Sequence, residues 1–410
     1  MSKKIQTLKG FRDFLPSEQR KRQIVINTLK EVFELYGFEP LETPALEYDE
    51  LLSGKYGDEG EKLMYRFTDL GGRKIALRYD QTVPLVRVMI QNQDLPLPFK
   101  RYQIQPVWRA ENTQKGRYRE FLQCDIDIVG SCSLLADAEI ISCALKSAQA
   151  LGFKDVRMLI NDRAAFKDLK SEFVAAIDKL KKIGNEGVVA ELVRKGMDKR
   201  SAEGLTKSLN KGNPPPSYQV IKKYLENYGF EEGRDFEFDP TIARGLDYYT
   251  GPIFELVSNS YKSGSLGGGG RYDKLIGKFF GQDIYATGFA FGFDRLVELL
   301  EEKKLFTSNQ SSTKVLVTIY SQELRPKSLD AISFLRDKSI NSEIWLNEKG
   351  MERLDKQLKY ANKKNIPFVI VIGPEEAKKG VVVLKNMKTG EQMEDSLESV
   401  VKKQLIKKPQ

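Results

Sequence analysis

The sequence predicts an α+β protein: an antiparallel, strand-rich core, a helical insertion within it, and a separate α/β domain at the C-terminal end. Three observations carry this prediction. Short alternating segments on either side of a turn between 99 and 130 read as an antiparallel hairpin, and strand-like, glycine-rich sequence returns after 241. Between them, 166–233 is charged and helical in pattern. After a polar linker, 306–313, apolar strands alternate with helical stretches to the end. The 410 residues suit several domains. The expected division is 1–165 and 234–305 as two parts of one core, 166–233 as the insertion, 306–313 as linker and 314–410 as the terminal domain.

Taken in order, the first element is an amphipathic helix. Ser17 can cap it, and Val25, Leu29, Val32, Phe33 and Tyr36 fall on one face before Gly37 stops it. Strand-like segments follow at 74–78, 101–109 and 121–129. Residues 123–129 alternate polar and apolar side chains, which places Gln123, Asp125 and Asp127 on one face. Such a row is either a solvent face or the floor of a polar site, and alternation alone favours solvent. In the insertion, Phe173, Ile177 and Leu180 form an apolar stripe, Gly184 caps its end, and Asn213 with three following prolines divides the region. Strand-like sequence resumes at 241–257, 264–271 and 286–293, with a helix over 294–301. The terminal domain should hold strands at 315–320, 367–372 and 381–384 and helices at 328–338 and 351–362.

Composition excludes several chemistries. Hydrophobic residues make up 40% and charged residues 30%, so the chain can build a packed core. Cys124, Cys132 and Cys143 form no C-x-x-C pair, which argues against a disulfide framework or a cysteine zinc site and fits a reducing cytosol. There is no histidine, so no Ser-His-Asp triad, Cys-His pair or histidine-ligated metal is available. No metal ligands are singled out. The N-terminal stretch has basic residues without an apolar run behind them, unlike a secretory signal, and the longest apolar runs are far shorter than a membrane span. A soluble, cytoplasmic protein with no membrane partner is expected. The net charge is +9, and from Lys314 onward 19 basic residues face 13 acidic ones. That excess suits a polyanion such as nucleic acid, or simply a solvated basic surface.

The densest chemistry lies in the hairpin. Arg109 and Glu111 end one strand, a turn spans 112–116, and Arg117 and Phe121 enter the next. An arginine fork binds phosphate bidentately and a ring stacks on a base. Standing alone, the segment would read equally as an ordinary charged hairpin. The glycines of 264–270 match neither G-x-x-x-x-G-K-[ST] nor G-x-G-x-x-G, which leaves close backbone approach or a turn.

Arg109-Ala-Glu111, the loop, and Arg117 four residues before Phe121 resemble motif 2 of class II aminoacyl-tRNA synthetases. Gly288 and Gly292 ahead of Asp294-Arg295 are similar to motif 3, with Asp294 where the class often has Glu, a change expected to matter little. Gly37 through Pro44 is similar to motif 1. Two further segments, Arg244-Gly-Leu-Asp-Tyr248-Tyr249-Thr and Gly268-Gly-Gly-Arg271-Tyr272-Asp273, resemble the signatures of histidyl-tRNA synthetases. So does Asp80-Gln-Thr82, in the Asp-x-Thr form of the amino-acid-binding strand. The resemblance spans nearly the whole chain.

The resemblance implies a class II catalytic core, an anticodon-binding terminal domain and a two-step reaction. The histidine carboxylate attacks the α-phosphate of ATP, and the terminal ribose of tRNA(His) then takes the histidyl group. By motif, Arg109 and Arg244 should meet the α-phosphate and the carboxylate, and Arg295 the outer phosphates. Phe121 should stack on adenine, with Glu111 and Arg117 orienting the nucleotide. Asp80, Thr82 and Gln123 should hold the α-amino group, Asp127 and Tyr249 the imidazole, and Tyr248 and Tyr272 the pocket wall. Arg244, Arg109 and Gln123 are the implied catalytic residues, with Arg244 taking a place that a metal fills elsewhere in the class. Mg²⁺ is expected with the ATP phosphates, and motif 1 implies a homodimer. The same resemblance leaves two other readings: a regulatory subunit of ATP phosphoribosyltransferase, and an RNA-sensing module of the kind found fused to a kinase. The intact arginines, the terminal domain and the absence of kinase sequence in this chain favour the enzyme.

Overall fold

Helix Pro16–Leu35 begins on a proline, whose fixed φ suits a first helical position and whose missing N–H removes one unsatisfied donor. Leu15, in extended backbone, holds the N-cap position without a side-chain cap, so Ser17 is not the cap. The predicted stripe is inward: Val25, Leu29, Val32 and Phe33 are buried. The computed structural model describes residues 5–54, 61–113, 117–209, 212–243, 248–261, 264–281, 283–306, 311–346 and 353–405. The chain divides into two compact units, 1–305 and 306–410.

The first unit is built on two sheets. Along the chain come β1 (Glu39–Pro40), β2 (Leu46–Tyr48), β3 (Arg66–Thr68) and β4 (Lys74–Leu77). The long strands β5 (Phe99–Trp108) and β6 (Glu120–Val129) follow, then β7 (Val156–Asp162) and β8 (Phe236–Phe238). The last three are β9 (Pro252–Ser258), β10 (Gly267–Arg271) and β11 (Ala286–Gly292). Strands β2, β4 and β3 make a small antiparallel sheet. The other eight run in the order β1-β5-β6-β11-β10-β9-β7-β8, antiparallel except where β1 meets β5 and β8 meets β7. The late strands β11 and β10 therefore sit at the centre, beside a hairpin made much earlier. Residues 241–251, read as strand from sequence, precede β9 and carry no strand where described.

The region between β7 and β8 is helical, as expected: Ser171–Ile177, Leu180–Arg194, Lys199–Leu209 and Pro216–Asn227. The stripe of Phe173, Ile177 and Leu180 is buried but divides between two helices, because the first ends at Asp178. Gly184 does break the helix, with φ +70°, a left-handed value that costs glycine nothing. Phe173, Ala176, Leu180, Val188, Leu192 and Ala202 form a core of their own. The last helix packs instead on Leu134–Ala150, which lies against the large sheet.

The second unit holds β12 (Val315–Val317), β13 (Ser342–Ile344), β14 (Phe368–Val371), β15 (Val382–Asn386) and β16 (Gln392–Asp395), in the order β13-β12-β14-β15-β16. The first three strands of that order are parallel and the last two antiparallel. Helices Arg325–Asp337 and Leu354–Lys363 match the expected alternation. Strands β13 and β16 escaped sequence reading because each is short and largely polar, with no apolar run to reveal it.

Candidate active site

Strand register builds the floor of one cleft. Across the hairpin, Asp127 faces Arg101, Asp125 faces Gln103 and Gln123 faces Gln105. With a side-chain period of two, these six groups share one face. Sequence alternation favoured a solvent face for this row, and the structure corrects that. Asp125 is 3% exposed and Asp127 4%. The cause is the segment after β4, which lies over the row. The Gln81 Nε2 donates to the backbone oxygens of Gln105 (2.8 Å) and Gln123 (3.2 Å).

Every singled-out residue within the described range lines this cleft: Asp80, Thr82, Arg109, Glu111, Arg117, Phe121, Gln123, Asp127, Tyr248, Tyr249, Tyr272 and Arg295. Arg244 and the loop positions 114–116 lie outside the described residues. The structure adds lining residues that sequence reading passed over, Tyr79, Tyr118, Ser265 and Phe289, and Asp125, which it read only as part of the polar row. Arg101 was also missed. It is fully buried beneath the floor and pairs with Asp127 Oδ2 at 2.7 Å. The alternation of 123–129 was the available signal for Asp125, whereas Arg101 had none because its partner comes from strand register.

At one end the cleft is acidic and aromatic. Asp80 Oδ1 accepts the backbone N–H groups of Thr82 (3.1 Å) and Val83 (3.2 Å), which anchors the carboxyl at the start of helix Thr82–Gln91. The Tyr272 hydroxyl donates to Asp127 Oδ1. Rings of Tyr248 and Tyr249 lie 4.8 Å apart, and Tyr248 meets Tyr272 edge-on at 6.0 Å. Burial pushes the Asp125 carboxyl up to about 8, and Asp127 and Asp80 push the same way against Arg101 and the Gln123 amide. Burial also raises Asp127, opposed by Arg101 and the Tyr272 hydroxyl.

At the other end the cleft is cationic. Arg109 Nε donates to the Tyr79 carbonyl (3.1 Å), and its guanidinium lies 4.4 Å from the Tyr79 ring centre and 5.2 Å from that of Phe121. Arg117 pairs with Glu111 at 3.3 Å. Arg295 Nη1 donates to the Ser265 carbonyl at 2.6 Å. Asp294 is held by Arg22 (2.6 Å) and Arg12 (3.0 Å), and Arg12 also covers the Tyr118 ring. The N-terminal segment thus braces both the hairpin and the helix that carries Arg295. Among the described residues no group of three acidic or cysteine side chains is placed to hold a metal ion.

The glycines of 267–270 are not a turn. They form a buried strand between β9 and β11. A Cβ on Gly269 would lie 2.0 Å from the Gly288 carbonyl, and one on Gly288 would lie 2.0 Å from Asp127 Oδ1. Close backbone approach under the cleft is what these residues supply.

The fold and cleft place the chain among known proteins. The family model described as histidyl-tRNA synthetase matches residues 10–233 and 216–296, and the anticodon binding domain matches 314–408. A histidine–tRNA ligase of Aeropyrum pernix is 40% identical, over 96% of this chain and 96% of that one. One of Cytophaga hutchinsonii is 38% identical, over 96% and 98%. The crystal structure of histidyl-tRNA synthetase from Nostoc sp. PCC 7120 superposes with a TM-score of 0.81 at 30% identity, covering 97% of this chain and 99% of that one. The architecture is that of a class II synthetase core with an anticodon-binding domain. The chain belongs to the histidyl-tRNA synthetase family.

Proposed function

We infer that this chain is a histidine–tRNA ligase, which activates L-histidine with ATP, releases pyrophosphate, and transfers the histidyl group to the 3′ end of tRNA(His). The observation that carries the reading is the convergence of the acidic, tyrosine-walled end and the cationic end in one cleft. Adenylation concentrates negative charge on the α-phosphate, so fixed cations are the main catalytic need. Arg109 serves there with Arg244, while Arg295 takes the outer phosphates and Phe121 the adenine face. Glu111 and Arg117 orient the nucleotide. Asp80, Thr82 and Gln123 hold the α-ammonium, and Asp127 and Tyr249 read the imidazole, with Tyr248 and Tyr272 walling the pocket. A ring with one donor and one acceptor satisfies such a site, whereas phenylalanine would leave buried polar groups unpaired. Mg²⁺ arrives on the ATP phosphates as part of the substrate.

The terminal domain supplies tRNA affinity through its basic excess, and the loop of 112–116 approaches the acceptor end. The working form is a cytoplasmic homodimer. An apolar face on the small sheet supports this: Tyr48, Ile75 and Phe67 are direct cross-strand neighbours, and Tyr48 and Phe67 are exposed. Among the described residues no helix is long and apolar enough to cross a membrane.

ATP–pyrophosphate exchange, run on purified protein with each of the twenty amino acids, tests the reading. Exchange with histidine alone is expected. Folded protein that exchanges with none would favour the regulatory-subunit reading, which the match over 314–408 argues against.

A further inference from the structure

Asp125 has no part in the roles assigned above, yet it is buried in the cleft floor, two residues from Gln123 on the same strand face. The Gln123 Nε2 donates to both carboxyl oxygens of Asp125, at 2.9 and 2.7 Å. The opposite end of the same amide, Oε1, faces Arg109 Nη2 at 3.5 Å. A carboxylate only accepts and a guanidinium only donates. With Asp125 ionised, the two flanking charges demand the same orientation of the amide: nitrogen toward the floor, carbonyl oxygen toward the cleft.

That orientation matters for an amino-acid substrate. An α-ammonium has three donors and no acceptor. A glutamine presenting its carbonyl oxygen binds it, and one presenting its NH₂ repels it. We propose that Asp125 is a positioning residue that locks the Gln123 amide with its carbonyl toward the substrate, and so sets recognition of the α-ammonium. This rests on the assignment of Gln123 to the amino group under the proposed function. An arriving ammonium also favours the ionised form of Asp125, so the acceptor-only state is the one that meets substrate. Asp80, anchored by the N–H groups of Thr82 and Val83, contributes charge to the same end of the cleft.

Asp125→Asn nearly preserves shape but removes the lock, because an asparagine side chain satisfies a glutamine amide in either orientation. Three ligands separate the possible causes, each measured by calorimetry on the full-length protein: histidine; histidinol, which keeps the ammonium but lacks the carboxylate; and imidazolepropionate, which keeps the carboxylate but lacks the ammonium. In Asp125→Asn, affinity for histidine and histidinol should fall about tenfold or more, the scale of one charge-assisted hydrogen bond, while imidazolepropionate binding stays within about twofold. The KM for ATP should hold. A second variant restores the acceptor with the same total charge: in Gln123→Glu/Asp125→Asn, the new carboxylate accepts from the substituted amide in the floor and still offers an oxygen to the ammonium. It should regain most of the lost affinity for histidinol.

Equal losses for all three ligands would mean a collapsed site and overturn the positioning role, as would unchanged histidinol affinity in Asp125→Asn. Failure of the double variant to recover any affinity would also overturn it. If the unmutated protein binds neither histidine nor histidinol, the assignment of the pocket itself fails, and the proposal falls with it.

Discussion

At the scale of single residues, burial of charge dominates the cleft. Asp127 and Arg101 are a buried pair, and Asp125 also faces the Arg101 charge. Asp127→Asn should raise the KM for histidine, read by exchange kinetics. Asp125 gives a pH signature. Its carboxyl sits at about 8 in the fold against an ordinary 3.8, with burial as the main cause, Asp127 and Asp80 adding to it, and Arg101 and Gln123 opposing. The folded state keeps a proton that the unfolded chain releases, so this group's stabilisation is complete below the unfolded value and drains away as pH rises to about 8. The Asp125→Asn protein should gain melting temperature relative to the unmutated protein from pH 6 to pH 8, then hold a constant offset. A flat difference across that range would contradict the assignment. Arg244→Ala, judged from sequence, should lower adenylation far more than histidine affinity, by roughly 3 kcal/mol or more of barrier, and unchanged turnover would remove it from the chemistry.

At the scale of elements, the site depends on strands that glycine allows to approach. Gly269→Ala drives a methyl group into the Gly288 carbonyl and should cost about 1–3 kcal/mol or more, seen as a lowered melting temperature. The brace between helices Pro16–Leu35 and Phe293–Glu302 is similar in kind. Asp294→Ala leaves the buried Arg22 without its counter-charge and should destabilise by about 3–5 kcal/mol, whereas Arg12→Ala, on a more exposed arginine, should cost less. This is also where sequence reading succeeded and failed. Helix Pro16–Leu35 and the hairpin strands were legible because their patterns are local. The polar row of 123–127 was legible as a row but not as a buried one. What buries it comes from residues 79–83 and from strands far along the chain, and no window of sequence contains that contact. Arg101 and Arg12 were invisible for the same reason, and β13 and β16 because they are short and polar.

At the scale of the whole molecule, the proposed function divides its tasks between the two units. A chain ending at Leu305 should retain histidine-dependent pyrophosphate exchange, while its KM for tRNA rises by an order of magnitude or more. Loss of exchange in a folded truncation would tie the second unit to the first step. Light scattering should give twice the chain mass, and Tyr48→Glu with Phe67→Glu on the small sheet should reduce it to one.

Strand order has a consequence for synthesis. One edge of β6 pairs with β5 as soon as the hairpin forms, but the other waits for β11, from Val129 until Ala286 has been made. An open strand edge invites pairing with other chains. The row of Gln123, Asp125 and Asp127 projects from that waiting strand, and two carboxylates on its face discourage a neighbour from adding on. The acids that floor the finished cleft thus also put charge on a strand whose second edge has its partner only once the last strands of the sheet are made.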